Sequence, residues 1–257
     1  MSTHTIATAD LPELLALIDD SDSVELKATV PDSDRQSMIH ALEMDPIDAE
    51  IRQVFFFDTP DLDLYHQGVV VRARRSQRKG GDTVVKLRPV VPHELPKALR
   101  RSAGFKVEVD ALPGAFMCSG SLAARADATE VKDVAAGARP LKKLLTREQR
   151  ELYKAHAPGG IGLGELSVLG PIMVLKLKAP PVAFTRRLVA ELWFYPDDTR
   201  ILELSTKCPP DDTFRAAAET RSYLAQRGID IDGEQETKTR RALDFFAARL
   251  QSAARDG

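Results

Sequence analysis

Residues 69–89 read VVVRARRSQRKGGDTVVKLRP. Arg72 and Arg74 stand two apart, as do Lys86 and Arg88, with Val69, Val71, Ala73, Val85 and Leu87 between and before them. Successive side chains of an extended chain point to opposite faces, so each segment has one cationic face and one apolar face. Guanidinium groups offer a planar fork to phosphate oxygens, and ammonium groups add mobile point charge. Such faces either hold an anion or simply meet water.

The same alternation recurs along the chain. Glu25 and Lys27 oppose Val24 and Leu26, and Lys106, Glu108 and Asp110 oppose Phe105, Val107 and Val109. Lys176 and Lys178 oppose Leu175 and Leu177; Arg187 and Glu191 oppose Leu188, Ala190 and Leu192; Glu203, Ser205 and Lys207 oppose Leu202 and Leu204. A one-sided sheet would place these charges in water. If helices cover the apolar faces instead, the charges turn inward. The interior then holds ten cations, Lys27, Arg72, Arg74, Lys86, Arg88, Lys106, Lys176, Lys178, Arg187 and Lys207, against five carboxylates, Glu25, Glu108, Asp110, Glu191 and Glu203. That excess repels itself when empty and is neutralised by a bound polyanion. Carboxylates suit a divalent cation, Mg²⁺ or Mn²⁺, held against phosphate. Glu191 and Glu203 serve equally as salt-bridge partners for nearby lysines.

The elements that must position these residues follow from pattern. Strands are expected at VELKATV (24–30), IRQVFFFDT (51–59), VVVRARR, TVVKLRP, GFKVEVD (104–110) and in four segments after the glycines at 159–164. Gly80-Gly81-Asp82 marks a hairpin. Asp32 or Ser33 is a candidate cap for a helix through RQSMIHALEM, and residues 111–155 read as a helical insert. Eight or nine strands without a βαβ rhythm point to an α+β fold, an antiparallel sheet or closed barrel with external helices. The chain divides into a helical lead-in at 1–22, the strand-rich unit at 23–207 and a C-terminal helical segment at 208–257 packed on the barrel.

Composition limits the function classes. The 257 residues are 43% hydrophobic and 29% charged with a net charge of −2, so a cationic site must be local, and no extended nucleic acid is expected as a partner. Two separated cysteines suit neither a disulfide scaffold nor a cysteine zinc site, and the five histidines show no metal spacing. No apolar run is long enough for a membrane span and the first residues lack a secretion pattern, so a cytoplasmic protein is expected. Trp193 reads as packing. The amphipathic ETKTRRALDFFAARL reads as core cover or a homodimer contact.

The strands together resemble the CYTH domain of the triphosphate tunnel metalloenzymes over roughly residues 23–207. The resemblance rests on Glu25 and Lys27 in SVELK, on Asp58-Thr59-Pro60 with Leu64, on Gly68 before Arg72 and Arg74, and on Lys86, Glu108, Asp110, Glu191 and Glu203 in order. It implies an eight-stranded antiparallel tunnel binding triphosphate with a divalent metal. The ten cations would clamp phosphate, with Lys27, Arg72 and Arg74 catalytic, and the five carboxylates would hold metal. Two positions depart from the family pattern: Ser23 replaces the first glutamate of E-x-E-x-K, and Ser205 follows Glu203 where a second acidic residue is expected.

The leading expectation is metal-dependent hydrolysis of inorganic triphosphate or a small organic triphosphate. A non-catalytic module binding triphosphate, polyphosphate or nucleotide is the rival, supported by the two serines. A class IV-like adenylyl cyclase ranks lower, since no adenine-recognition signature is present. A scaffold whose cations pair only with internal carboxylates is the remaining alternative.

Overall fold

The computed structural model describes residues 11–30, 39–179, 184–231 and 238–255. The proposed caps Asp32 and Ser33 lie outside the described residues. The described residues form nine strands: β1 Ser23–Val30, β2 Glu50–Asp58, β3 Val69–Ser76, β4 Gly80–Leu87, β5 Phe105–Leu112, β6 Ala115–Ala126, β7 Ser167–Lys178, β8 Leu188–Phe194 and β9 Arg200–Cys208. They close into a barrel in the order β1-β5-β6-β4-β3-β2-β7-β8-β9, with β9 pairing back onto β1.

The expected eight antiparallel strands are therefore nine in a mixed barrel. Strand direction must alternate around an all-antiparallel ring, which an odd number of strands cannot do. One junction has to be parallel. It is β1 with β5, which sets Ser23 beside Glu108 and Glu25 beside Asp110.

The segment 111–155 is also not uniformly helical. It begins with the end of β5 and the 12-residue β6, whose alanine-rich SLAARA favours helix locally. Pairing on both sides, with β4 and β5, overrides that preference.

Seven helices are described: α1 Leu11–Asp19, the short α2 Asp63–His66 and α3 Lys97–Arg100, α4 Ala128–Ala135, α5 Arg147–His156, α6 Thr213–Ala225 and α7 Lys238–Arg255. Among the described residues, no helix is long and apolar enough to cross a membrane. The apolar strand faces point outward under helical cover. Leu17 and Ile18 of α1, Val131 and Val134 of α4, and Leu152 and Tyr153 of α5 join Val71, Val85, Val107 and Val109 in one core. Tyr223 and Leu224 of α6 cover Leu188, Ala190, Leu202 and Leu204.

Helix α7 does something different. Its Ala242, Leu243, Phe246 and Ala247 pack with Val54, Phe56, Ile172, Val174, Trp193 and Ile201. Val54 and Phe56 lie opposite Arg74 and Arg72 in the β2–β3 register and so share their inward face. The last helix thus closes the apolar end of the barrel interior rather than lying on its outside.

A single polar side chain pins α5 to the wall. Gln149 is fully buried. It accepts from Thr83 Oγ1 at 2.9 Å and donates to the carbonyls of Thr83 at 3.1 Å and Leu122 at 3.0 Å. It also completes a capping box with Thr146. Gln149→Leu strands these buried partners and is expected to lower the unfolding free energy by about 2 kcal/mol in urea titration. A wild-type value would mean the carbonyls find other donors.

The Asp58-Thr59-Pro60 turn proves to be architecture. Asp58 is buried and accepts from the amides of Thr59 at 2.8 Å, Leu64 at 2.9 Å and Tyr65 at 3.0 Å. This holds the chain between β2 and α2, and Gly68, at φ 82°, then turns it into β3.

Candidate functional site

The inward faces enclose a cavity of about 590 Å³. Nine cationic side chains line it, Lys27, Arg72, Arg74, Lys86, Arg88, Lys106, Arg125, Lys176 and Lys238. Against them stand six carboxylates, Glu25, Asp82, Glu108, Asp110, Glu191 and Glu203, an excess of three positive charges.

Most of these charges form three hubs. Asp110, 2% exposed, lies 2.8 Å from Lys27 Nζ and 3.6 Å from Lys86 Nζ and is hydrogen-bonded by Arg88. Burial opposes the charge of Asp110, but Lys27, Lys86 and Arg88 outweigh it and hold the carboxyl well below the usual range. Lys27 also meets Glu25 at 3.1 Å. Despite burial, Asp110, Glu25 and Glu203 raise its pKa.

Asp82 forms the second hub, 2.9 Å from Arg74 Nε and 3.9 Å from Arg72 Nη2. Glu191 forms the third, with Lys238 at 2.6 Å, Lys176 at 3.2 Å and Arg52 at 3.7 Å. Lys238 is shared with Glu203 at 2.7 Å.

Not every donor is satisfied. The Nε atoms of Arg72 and Arg88 are buried and have no hydrogen-bond partner among the described residues. Lys106 and Arg125 line the cavity, with no ion pair among the described residues. Orphaned buried donors carry a penalty that an anion in the cavity would remove.

Twelve of the fifteen residues read from the sequence converge here: Glu25, Lys27, Arg72, Arg74, Lys86, Arg88, Lys106, Glu108, Asp110, Lys176, Glu191 and Glu203. Lys178, Arg187 and Lys207 do not line the cavity. Lys178 and Arg187 are exposed at the strand ends, where Arg187 is the main influence lowering the Lys178 pKa. Lys207 is half-exposed and pairs with Glu108.

Four other charged residues of this interior escape the sequence reading. Arg125 continues the alternation of Ser121 and Ala123, and Arg52 sits two before Val54, so both were within reach of the pattern. Asp82 is masked by its role in a turn signal. Lys238 has no local signal, since only the seating of α7 brings it inside.

The carboxylates do not fit a resident divalent cation as they stand. No three metal-ligating groups converge among the described residues. Glu191 and Glu203 are bridged by Lys238, Asp110 is held by three cations, Glu108 by Lys207 and Glu25 by Lys27.

Lys86 is the titratable switch of the cavity. Burial, with Arg88 and Lys27 adding to it and Asp110 opposing, lowers its pKa to about 8. The unfolded chain keeps this proton up to the ordinary lysine value of 10.5. Between those values the unfolded state binds more protons, so Lys86 makes the empty protein gain stability as pH rises. Anion affinity moves the opposite way, falling above pH ~8 as the ammonium is lost. Urea titrations and anion binding from pH 7 to 10 (roughly the window set by that shift) should show opposed slopes, both flattened in Lys86→Met. Parallel slopes would contradict the assignment.

No family model matches the sequence, and no curated protein does. Solved structures do. HpAC1 from Hippeastrum, a proposed adenylyl cyclase described as having a dominant triphosphatase activity, superposes with a TM-score of 0.62 at 18% identity. The match covers 84% of this chain and 92% of that one. A proposed adenylate cyclase from Bacillus halodurans gives a TM-score of 0.60 at 14% identity, over 86% of this chain and 97% of its own. The fold is shared. It is the charged barrel with helices around it that the CYTH resemblance implies, with the strand count corrected to nine.

Proposed function

We propose that the barrel binds inorganic triphosphate or a small organic triphosphate and hydrolyses it. The observation that carries this reading is the cavity's excess of cations together with the unpartnered Nε donors of Arg72 and Arg88. The triphosphatase activity described for the Hippeastrum protein supports it at the level of a shared fold.

Arg72 and Arg74 on β3, and Lys86 and Arg88 at β4, present donors from adjacent strands along one line of the cavity. They hold neighbouring phosphates and fix the chain's direction. Water attacks the terminal phosphorus while the bridging P–O bond breaks, its electron pair leaving with the departing phosphate oxygen and the water's proton passing to the phosphate products. Negative charge grows on that oxygen, and preorganised Lys27, Arg72 and Arg74 stabilise it without reorganisation. Because the carboxylates are already paired, no step is assigned to Mg²⁺ or Mn²⁺. A divalent ion would have to enter with the substrate phosphates.

The test is phosphate release from inorganic triphosphate, ATP and thiamine triphosphate, each with Mg²⁺, with Mn²⁺ and with chelator. Release of one phosphate per substrate supports the reading and names the substrate. No release from any of them, with a raised melting temperature in triphosphate, would replace it with the binding-module reading, which the paired carboxylates favour. Neither release nor stabilisation would reject both.

A further inference from the structure

Glu191 and Glu203 stand directly opposite each other on β8 and β9. Like charges in that position repel, so the pair needs a cation between them. A divalent ion would satisfy it, but the chain supplies its own. The ammonium of Lys238 lies 2.6 Å from Glu191 Oε2 and 2.7 Å from Glu203 Oε1, with the Trp193 ring 4.9 Å away. Its charge also reaches Glu25, lowering that carboxyl's pKa alongside Lys27 against the effect of burial.

We propose that Lys238 is a tethered cation that occupies the place of a divalent ion between Glu191 and Glu203 and excludes such ions from that end of the cavity. The tether is strong. Tyr195 Oη donates to the Lys238 carbonyl at 3.0 Å, and Leu243 and Phe246 bury the next turns of α7 against Ile172 and Trp193. A free ion must therefore displace an ammonium that cannot diffuse away, which is an intramolecular competitor at high effective concentration. Lys176 and Arg52 add positive charge around Glu191 and raise the barrier further. The site is thus specific for phosphate charge and not for metal at this end, whatever the reaction performed.

The experiment is a Mn²⁺ titration of the full chain, followed by electron paramagnetic resonance of the free ion in phosphate-free buffer. Wild type is expected to bind Mn²⁺ no tighter than millimolar. Lys238→Met is expected to gain one site tighter by about ten-fold or more. Lys238→Arg, which keeps the charge, should gain none, and Glu203→Gln added to Lys238→Met should abolish the gain. Mn²⁺ should also raise the melting temperature of Lys238→Met and leave wild type unmoved. A folded Lys238→Met without a new site overturns the proposal, as does a tight wild-type site that Glu203→Gln removes. Should Lys238→Met fail to fold, Lys238→Gln, which removes the charge but keeps a polar side chain, carries the same expectation, and a tight wild-type site that Glu203→Gln removes still overturns the proposal. No phosphate is present, so failure of the triphosphatase reading leaves each of these results intact.

Discussion

Asp110→Asn is expected to lower the unfolding free energy by about 3–5 kcal/mol in urea titration at neutral pH. Asp110 is the sole carboxylate within 4 Å of Lys86 and Arg88 among the described residues, and it also holds Lys27. The amide cannot offset three cations, which are left to repel one another in a largely buried site. The pH dependence follows from the depressed pKa of Asp110. Its contribution is fully present above the unfolded value of ~3.9 and is lost as pH falls toward the lower folded value. Wild type and variant should therefore converge below pH ~4 and differ most above it. Binding should respond less than stability, because Lys27 and Arg88 are freed for inorganic triphosphate while Lys86 loses the carboxylate that keeps its ammonium charged. A variant as stable as wild type at pH ~7 would show that Asp110 is not the hub.

Arg72→Ala has the reverse profile. Burial, with Arg74 beside it, lowers the Arg72 pKa to about 10. The empty protein holds this charge at a cost, which a 3.9 Å contact to Asp82 and the charge of Glu191 offset in part. Removing it should change stability by no more than about 0.5 kcal/mol, since Arg74 keeps its 2.9 Å bond to Asp82. Loss of a charge-assisted contact to phosphate should weaken triphosphate binding by about 100-fold, equivalent to about 2.7 kcal/mol. Calorimetric titration with inorganic triphosphate measures the second effect and thermal melting the first. An affinity within about two-fold of wild type would remove Arg72 from the site. An affinity loss matched by unfolding would make it structural. The two arms together separate a residue kept for its ligand from one kept for the fold.

Much of this was legible in the chain itself. Period-two alternation in VVVRARR, TVVKLRP and GFKVEVD identified the strands and sorted their charged faces from their apolar ones. Alternation is a local property of extended backbone, so it survives without tertiary information. The inward turn of the charges was conditional on helices covering the apolar faces, and α1, α4, α5 and α6 supply that cover.

Long-range partners were beyond that reach. Strand alternation names a face but not the neighbour across it, so only closure of the barrel set Glu25 beside Asp110 and Glu191 opposite Glu203. The alanine-rich β6 looked helical because its strand state depends on pairing with β4 and β5. Whether a carboxylate meets a metal or a lysine is likewise a matter of distance. Glu191 and Glu203 were identifiable as acidic ligands from residue type, but the ammonium between them comes from Lys238, 35 residues beyond Glu203 in the chain. The sequence determined the alternating faces because backbone geometry is local. Tertiary structure alone decided which charges neutralise one another, because Coulomb interactions depend on separation in space.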